Sequence, residues 1–113
     1  MSGTPIDELL AEEILPVARS IEGIVRRVLS GGGYRVFLFG SWASGEARDR
    51  SDIDIGIEGA APVDAAQMQE IREAVDSLPT LYTVEIVDFG RVTPRFREAA
   101  ARHIMELEPY GRE

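Results

Sequence analysis

Cysteine is absent from this 113-residue sequence, and histidine occurs only once. Without cysteine the chain forms neither disulfides nor thiolate metal sites, which is typical of a cytoplasmic protein. No apolar run approaches the roughly 20 residues that a membrane-spanning helix needs. The N-terminal region is acidic over 7–13 and lacks the basic and apolar regions of a signal peptide. We therefore expect a cytoplasmic protein without a membrane segment.

Basic residues are also few, since 12 of them stand against 20 acidic residues and give a net charge of −8. A protein that grips a polynucleotide usually presents a basic face, because phosphate contacts dominate its affinity. Direct binding of a long nucleic acid is therefore not expected. The length predicts one domain over 1–113, large enough for a core of its own.

Apolar periodicity gives the expected elements. Thr4 and Pro5 are a typical helix start, and Pro16 predicts a kink or two consecutive helices in the first helical region. The predicted order is helical over 6–28, strand over 34–39, short helix over 42–47, strand over 52–58, helix over 65–78, strand over 82–89 and helix over 96–107. This order indicates a small α/β (α+β) domain, with a mixed sheet, helices packed on one face and the opposite face open.

Two aspartates mark the second strand. Side chains alternate between the faces of a strand, so Asp52 and Asp54 share one face while Ile53, Ile55 and Ile57 point to the core. Carboxylates this close repel each other, and a divalent cation is the usual counter-charge. Hard oxygen ligands favour Mg²⁺ or Mn²⁺ over zinc.

A glycine–serine turn follows the first strand. Gly40 allows a ligand to approach the backbone closely, and Ser41 is placed to cap the short helix that follows. Amides at such a turn bind anions, so nucleotide phosphates are one interpretation and a plain helix cap is the other. Arg48 and Arg50, in the next loop, either contact a triphosphate or are simply solvated.

The spacing of these two features resembles a known signature. Gly40-Ser41, ten intervening residues, and Asp52-Ile53-Asp54 are similar to the motif of the nucleotidyltransferase superfamily that includes DNA polymerase beta. The run looks most like the minimal nucleotidyltransferases, a family of short prokaryotic proteins. The resemblance implies a polymerase-beta-like fold, ATP as substrate and two Mg²⁺ ions, with Mn²⁺ as an alternative. It also implies that Gly40 and Ser41 orient the triphosphate.

Chemistry with two metal ions usually needs a third acid, and the third strand offers Glu85 and Asp88. Glu85 alternates with Val84 and Ile86, so it falls on the aspartate face if those two residues face the helices. We expect Glu85 to complete the metal site, with Asp88 as the alternative. His103, on the predicted last helix, is expected to be a partly buried packing residue. Two departures stand out: many relatives carry arginine where this chain has Ser44, and aspartate where it has Glu85.

Members of the minimal family commonly act as antitoxins paired with a small helical HEPN-type ribonuclease toxin. They neutralise the toxin by transferring AMP to a tyrosine or by binding alone. An acidic surface suits a basic, RNA-cleaving partner. The resemblance therefore implies a protein adenylyltransferase that is the antitoxin of such a toxin, in a homo- or hetero-oligomer. A binding-only antitoxin, or a small-molecule nucleotidyltransferase acting as a homodimer, are the alternatives.

Overall fold

The computed structural model describes residues 5–30 and 33–107. The expected Thr4 cap lies outside these residues. None of the helices in the described ranges combines the length and the apolar character needed to cross a bilayer. In chain order the elements are α1 (Ile6–Leu9), a π-helical turn (Leu10–Ile14), α2 (Leu15–Val28), β1 (Arg35–Phe39), α3 (Ser41–Ser44), β2 (Ile53–Glu58), α4 (Ala65–Asp76), β3 (Val84–Asp88), α5 (Pro94–Ala100) and β4 (Met105–Glu106).

The interruption expected at Pro16 is a change of helix type rather than a break. Pro16 lies in the first turn of α2, directly after the π-helical turn Leu10–Ile14. A proline lacks the amide hydrogen and its ring crowds the carbonyl four residues earlier, here that of Glu12. A wider turn at that point accommodates the ring, so the helical region continues.

The four strands form one mixed sheet in the order β3-β2-β1-β4. β1 pairs antiparallel with β2 and with β4, whereas β2 and β3 are parallel. A parallel pair needs a crossover, and α4 supplies it between β2 and β3. The predicted mixed sheet with helices is confirmed.

The main core lies between the sheet and the long helices α2 and α4. Alternate residues of each strand point into this core, and the apolar faces of the two helices pack against them. The buried residues of this layer include Val36, Leu38, Ile53, Ile55, Ile57 and Ile86 from the strands, and Ile21, Val25, Ile71 and Val75 from the helices.

The opposite face of the sheet is only partly open, which corrects the expectation of an uncovered face. Phe37, Phe39 and Phe89 form a small aromatic cluster there, and residues from α5 and the segment after it pack against that cluster. Among them, the Phe96 ring contacts Phe39 and Phe89 at centroid distances of 6.2 and 5.8 Å.

The predicted last helix over 96–107 is wrong in its second half. α5 ends at Ala100, and the chain turns into β4, where Met105 pairs with Leu38. The amide of Leu107 also donates to the carbonyl of Val36 at 2.9 Å. The spacing of Ile104 and Leu107 fits a helix by coincidence, because in the structure they pack on opposite faces of the sheet.

Candidate active site

The glycine–serine turn and the aspartate strand meet directly. Phe39 pairs with Asp54, and Gly40 follows at the end of β1. Gly40 has φ 76°, and a methyl group built on it would lie 2.2 Å from Oδ2 of Asp54. A side chain at this position is therefore excluded twice, by the backbone conformation and by the carboxylate. The two halves of the sequence motif form one site.

Three carboxylates lie at this end of the sheet. Asp54 and Glu85 are register partners on the parallel strands β2 and β3, so their side chains are neighbours on the face opposite the main core. Asp52 is exposed and directly precedes β2. The structure thus brings together the three residues that the sequence indicates as metal ligands.

The electrostatic consequence appears at Asp54. Burial, then the Glu85 carboxylate, then the Asp52 carboxylate raise the pKa of Asp54 from 3.8 to about 6. Within residues 5–30 and 33–107, no arginine or histidine forms an ion pair with any of these three acids. This is an accumulation of negative charge without a counter-charge.

A divalent cation fits the donor chemistry of this group, since hard oxygen ligands are what Mg²⁺ and Mn²⁺ prefer. The described residues nevertheless contain no group of three acids or histidines already arranged around a metal position. Asp52 is exposed, and it directly precedes the strand that carries Asp54. The residues therefore fit the ion in type and charge but are not pre-arranged for it.

Asp88 belongs to a different environment. It is 8% exposed, and it accepts hydrogen bonds from the amides of Val63 and Gly90, both at 2.8 Å. Nε of Arg91 lies 3.3 Å from Oδ2 of Asp88. These contacts tie the loop before α4 to the end of β3, and they leave Asp88 apart from the three clustered carboxylates.

The short helix α3 is held in place by Trp42 rather than by a serine cap. Gly40, not Ser41, is the N-cap residue, and its helix has no side-chain cap bond; the capping role expected for Ser41 is wrong. Trp42 is 1% exposed, and its indole nitrogen donates to the carbonyl of Ser51 at 3.0 Å. Trp42 thereby fixes the loop that leads from the turn to Asp52.

The two loop arginines expected to contact the nucleotide do not line the cleft beside the turn. Arg48 and Arg50 are both exposed, and Arg50 has a positive φ of 77°. The charge of Arg50 acts on Tyr82, whose phenol pKa is raised chiefly by burial and by a hydrogen bond to Glu13, an effect that Arg50 partly opposes. Neither arginine lines the cleft described next, so nucleotide contacts from them remain a prediction.

A cleft of about 480 Å³ opens between the glycine–serine turn and α5. Its size falls within the range of small-molecule sites. It is lined by Phe39, Gly40, Ser41, Ser44 and Glu46 on one side and by Phe96, Ala99, Ala100, Arg102 and His103 on the other.

The second wall of this cleft contains residues that the sequence did not indicate. His103 is exposed, in the turn after α5, so the expectation of a partly buried packing residue is wrong. Arg102 and Phe96 were not identified at all as site residues. No local pattern marks them, because the pairing of β4 with β1 is what carries this segment to the turn.

Comparison with known proteins agrees with this geometry. Residues 34–106 match the family model described as polymerase beta, nucleotidyltransferase. The chain belongs to this family. The match includes the glycine–serine turn, the three clustered carboxylates and the turn after α5.

One curated relative is the "Probable protein adenylyltransferase MntA" of Haemophilus influenzae. It is 31% identical over 65 residues, which are 58% of this chain and 57% of the relative. The chain therefore matches little more than half the length of that protein.

Solved structures confirm the fold. A crystal structure described as a toxin–antitoxin with AMP-PNP superposes with a TM-score of 0.60 at 21% identity, over 80% of this chain and 72% of the other. A structure assigned as a minimal nucleotidyltransferase gives a TM-score of 0.59 at 26% identity, over 95% of this chain and 100% of the other. The resemblance to minimal nucleotidyltransferases is confirmed.

Proposed function

We propose that this protein is a metal-dependent nucleotidyltransferase that transfers AMP from ATP to a protein acceptor. The observation that carries the proposal is the direct contact between Gly40 and Asp54, with Glu85 as the register partner of Asp54. A turn that borders a ligand-sized cleft and a cluster of hard oxygen donors are the two parts that phosphoryl-transfer chemistry requires.

In the proposed reaction, a hydroxyl oxygen of the acceptor forms a bond to the α-phosphorus of ATP. The bond from that phosphorus to the bridging oxygen breaks, pyrophosphate leaves, and the hydroxyl proton passes to solvent. Gly40 and Ser41 would orient the polyphosphate, and Asp52, Asp54 and Glu85 would hold Mg²⁺ or Mn²⁺. Bound there, such an ion would supply positive charge that stabilises the entering and leaving oxygens.

We propose a toxin of the HEPN type as the acceptor and partner. The adenylyltransferase name of the curated relative supports a protein acceptor. The toxin–antitoxin description of a structural neighbour supports a partner of that class. The net charge of −8 suits a basic, RNA-cleaving protein.

The first test is calorimetry of ATP binding with and without Mg²⁺. Wild type should bind ATP in a Mg²⁺-dependent way, and the double variant Asp52→Asn/Asp54→Asn should lose about tenfold or more in affinity, as loss of metal contacts implies. Glu70→Gln is the control, because Glu70 is an exposed acid of α4 that does not line the cleft. Equal binding by all three proteins contradicts the proposal.

The second test concerns the acceptor. The protein should be co-expressed with the product of an adjacent short, helix-rich reading frame, and the partner weighed intact. One added adenylate on the partner, absent with the double variant, supports the transfer reaction. An unmodified partner that nevertheless remains bound favours the second candidate, an antitoxin that acts by contact alone. One observation favours that candidate: the described acids are not pre-arranged around a metal.

A further inference from the structure

The cleft beside the glycine–serine turn has one wall without a cation. On that side the polar groups are the hydroxyls of Ser41 and Ser44 and the carboxylate of Glu46. Oγ of Ser44 lies 3.5 Å from Oε1 of Glu46. A polyphosphate carries several negative charges, and this wall places the Glu46 carboxylate beside them. This wall alone therefore repels the ligand that the proposed function requires.

The opposite wall carries positive charge. Arg102 and His103 follow α5 and line the same cleft. β4 pairs antiparallel with β1, with Met105 opposite Leu38. Because Met105 lies opposite Leu38, the chain just before β4 lies near the end of β1 that leads into Gly40. The strand pairing thus explains how a segment more than sixty residues away in sequence comes to face the turn.

Arg102 is available for a ligand. Its side chain is exposed, and across the described ranges it takes part in none of the ion pairs, which instead involve Arg26, Arg35, Arg91 and Arg97. A guanidinium group donates two parallel hydrogen bonds to a phosphate, with charge added to geometry. An imidazole next to it offers a further donor.

We propose that Arg102 and His103 form a polyphosphate-binding wall of the cleft. This wall faces Gly40 and Ser41 and supplies the positive charge that the side with Ser41, Ser44 and Glu46 lacks. This inference rests on the proposed function, because it names the residues that hold the triphosphate of the nucleotide. The observation behind it is the shared cleft, in which one side has Arg102 and the other has the carboxylate of Glu46 and no cation.

The test is calorimetry of ATP binding in Mg²⁺ buffer at fixed low salt. Arg102→Ala should weaken binding about fivefold to tenfold, which is typical of a charge-assisted hydrogen bond at a partly exposed site. Arg102→Lys should restore part of the affinity. Arg95→Ala is the matched control, since Arg95 is an exposed arginine of α5 that does not line the cleft; its affinity should stay within about twofold of wild type.

A second variant is expected to strengthen ATP binding rather than weaken it. Glu46→Gln removes the negative charge from the other wall and should tighten ATP binding by about twofold to threefold. Inorganic tripolyphosphate should compete with ATP on wild type and lose most of that competition on Arg102→Ala.

The single histidine gives a readout that needs no variant. Tripolyphosphate added to wild type should move the Hε1 and Hδ2 resonances of this imidazole in the proton NMR spectrum. If ATP binds wild type and Arg102→Ala equally and the imidazole signal does not move, the inference is overturned while the proposed function stands. If wild type binds no ATP with Mg²⁺ present, both are overturned.

Discussion

Asp54 and Asp88 lie on neighbouring strands of one sheet, yet they face opposite sides and have opposite surroundings. Asp88 accepts two backbone hydrogen bonds at 2.8 Å and lies beside Arg91. Asp54 has Glu85 and Asp52 as its charged neighbours, and its pKa is raised to about 6. The Asp88 carboxylate is thus surrounded by hydrogen-bond donors, whereas the Asp54 carboxylate has other carboxylates as its neighbours.

The difference separates a structural acid from a functional one. A buried charge with its donors in place contributes to stability, because removing it leaves those donors unpaired. A carboxylate held next to other carboxylates costs stability, and such arrangements persist where a ligand compensates them. Stability measurements should therefore give opposite signs for the two aspartates.

The largest effect on stability is expected at Gly40, which lies against the carboxylate of Asp54. Gly40→Ala combines a positive φ of 76° with a methyl group 2.2 Å from Oδ2 of Asp54, and should lower the free energy of unfolding by about 3 kcal/mol. Gly45→Ala is the control, since Gly45 has φ 85° but open space around it; about 1 kcal/mol is expected there. Urea denaturation of both variants measures the difference.

Equal losses at the two glycines would show that the Gly40–Asp54 contact does not constrain the site. The double variant Gly40→Ala/Asp54→Ala supplies a further check. Removing the carboxylate should recover the part of the loss that comes from the close approach, and the part due to positive φ should remain.

The next effect concerns the acid on the other face. Asp88→Ala leaves the amides of Val63 and Gly90 without their acceptor and should cost about 2 kcal/mol of unfolding free energy. Glu70→Ala, at an exposed position of α4, should change it by less than about 0.5 kcal/mol. An Asp88→Ala protein as stable as wild type would refute the structural role given to this carboxylate.

Much of this comparison was predictable from the sequence, because it depends on local periodicity. Strand alternation places Asp54 opposite the core isoleucines and sets Glu85 on the face of Asp54. The same alternation sets Asp88 on the other face. The motif spacing also identified Gly40 and Asp54 as parts of one site, although only the structure shows how close their atoms lie.

The second wall of the cleft was not predictable in this way. β4 has two residues, too few for an alternation pattern, and its pairing with β1 joins residues more than sixty positions apart. The helical spacing of Ile104 and Leu107 pointed to the wrong element. The side-chain directions of the loop arginines could not be predicted either. No periodicity applies to a loop residue such as Arg50, which has a positive φ.

Asp54→Asn should raise the unfolding free energy at pH 7 by about 1 kcal/mol. The folded protein holds the Asp54 proton up to a pKa of about 6, whereas the unfolded chain loses it near 3.8. The contribution of this group is therefore fully present below pH 4 and is lost as the pH rises through 6. A shift of two units is worth about 3 kcal/mol for a buried group, and solvent screening at this partly exposed site reduces it.

Urea denaturation at pH 4 and pH 7 measures this change. The variant and wild type should differ at pH 7 and nearly coincide at pH 4, because at the lower pH the carboxyl is already protonated in the folded state. An Asp54→Asn variant that is less stable than wild type at pH 7 would mean that the Asp54 carboxylate stabilises the fold, as we expect for that of Asp88.

The smallest effect isolates the contribution of Glu85. Burial is the first cause of the raised pKa of Asp54, and the Glu85 carboxylate is the second. Glu85→Gln should therefore move the pKa of Asp54 part of the way back toward 3.8 and stabilise the fold at pH 7 by about 0.5 kcal/mol. Titration of the Asp54 carboxyl carbon by NMR follows the shift directly, with Asp88→Asn as the control that should leave it unchanged. If the titration of Asp54 is the same in Glu85→Gln and in wild type, the two carboxylates do not interact. Glu85 would then lose its physical basis as the third acid of the site, even if the fold and Asp52 and Asp54 are as described.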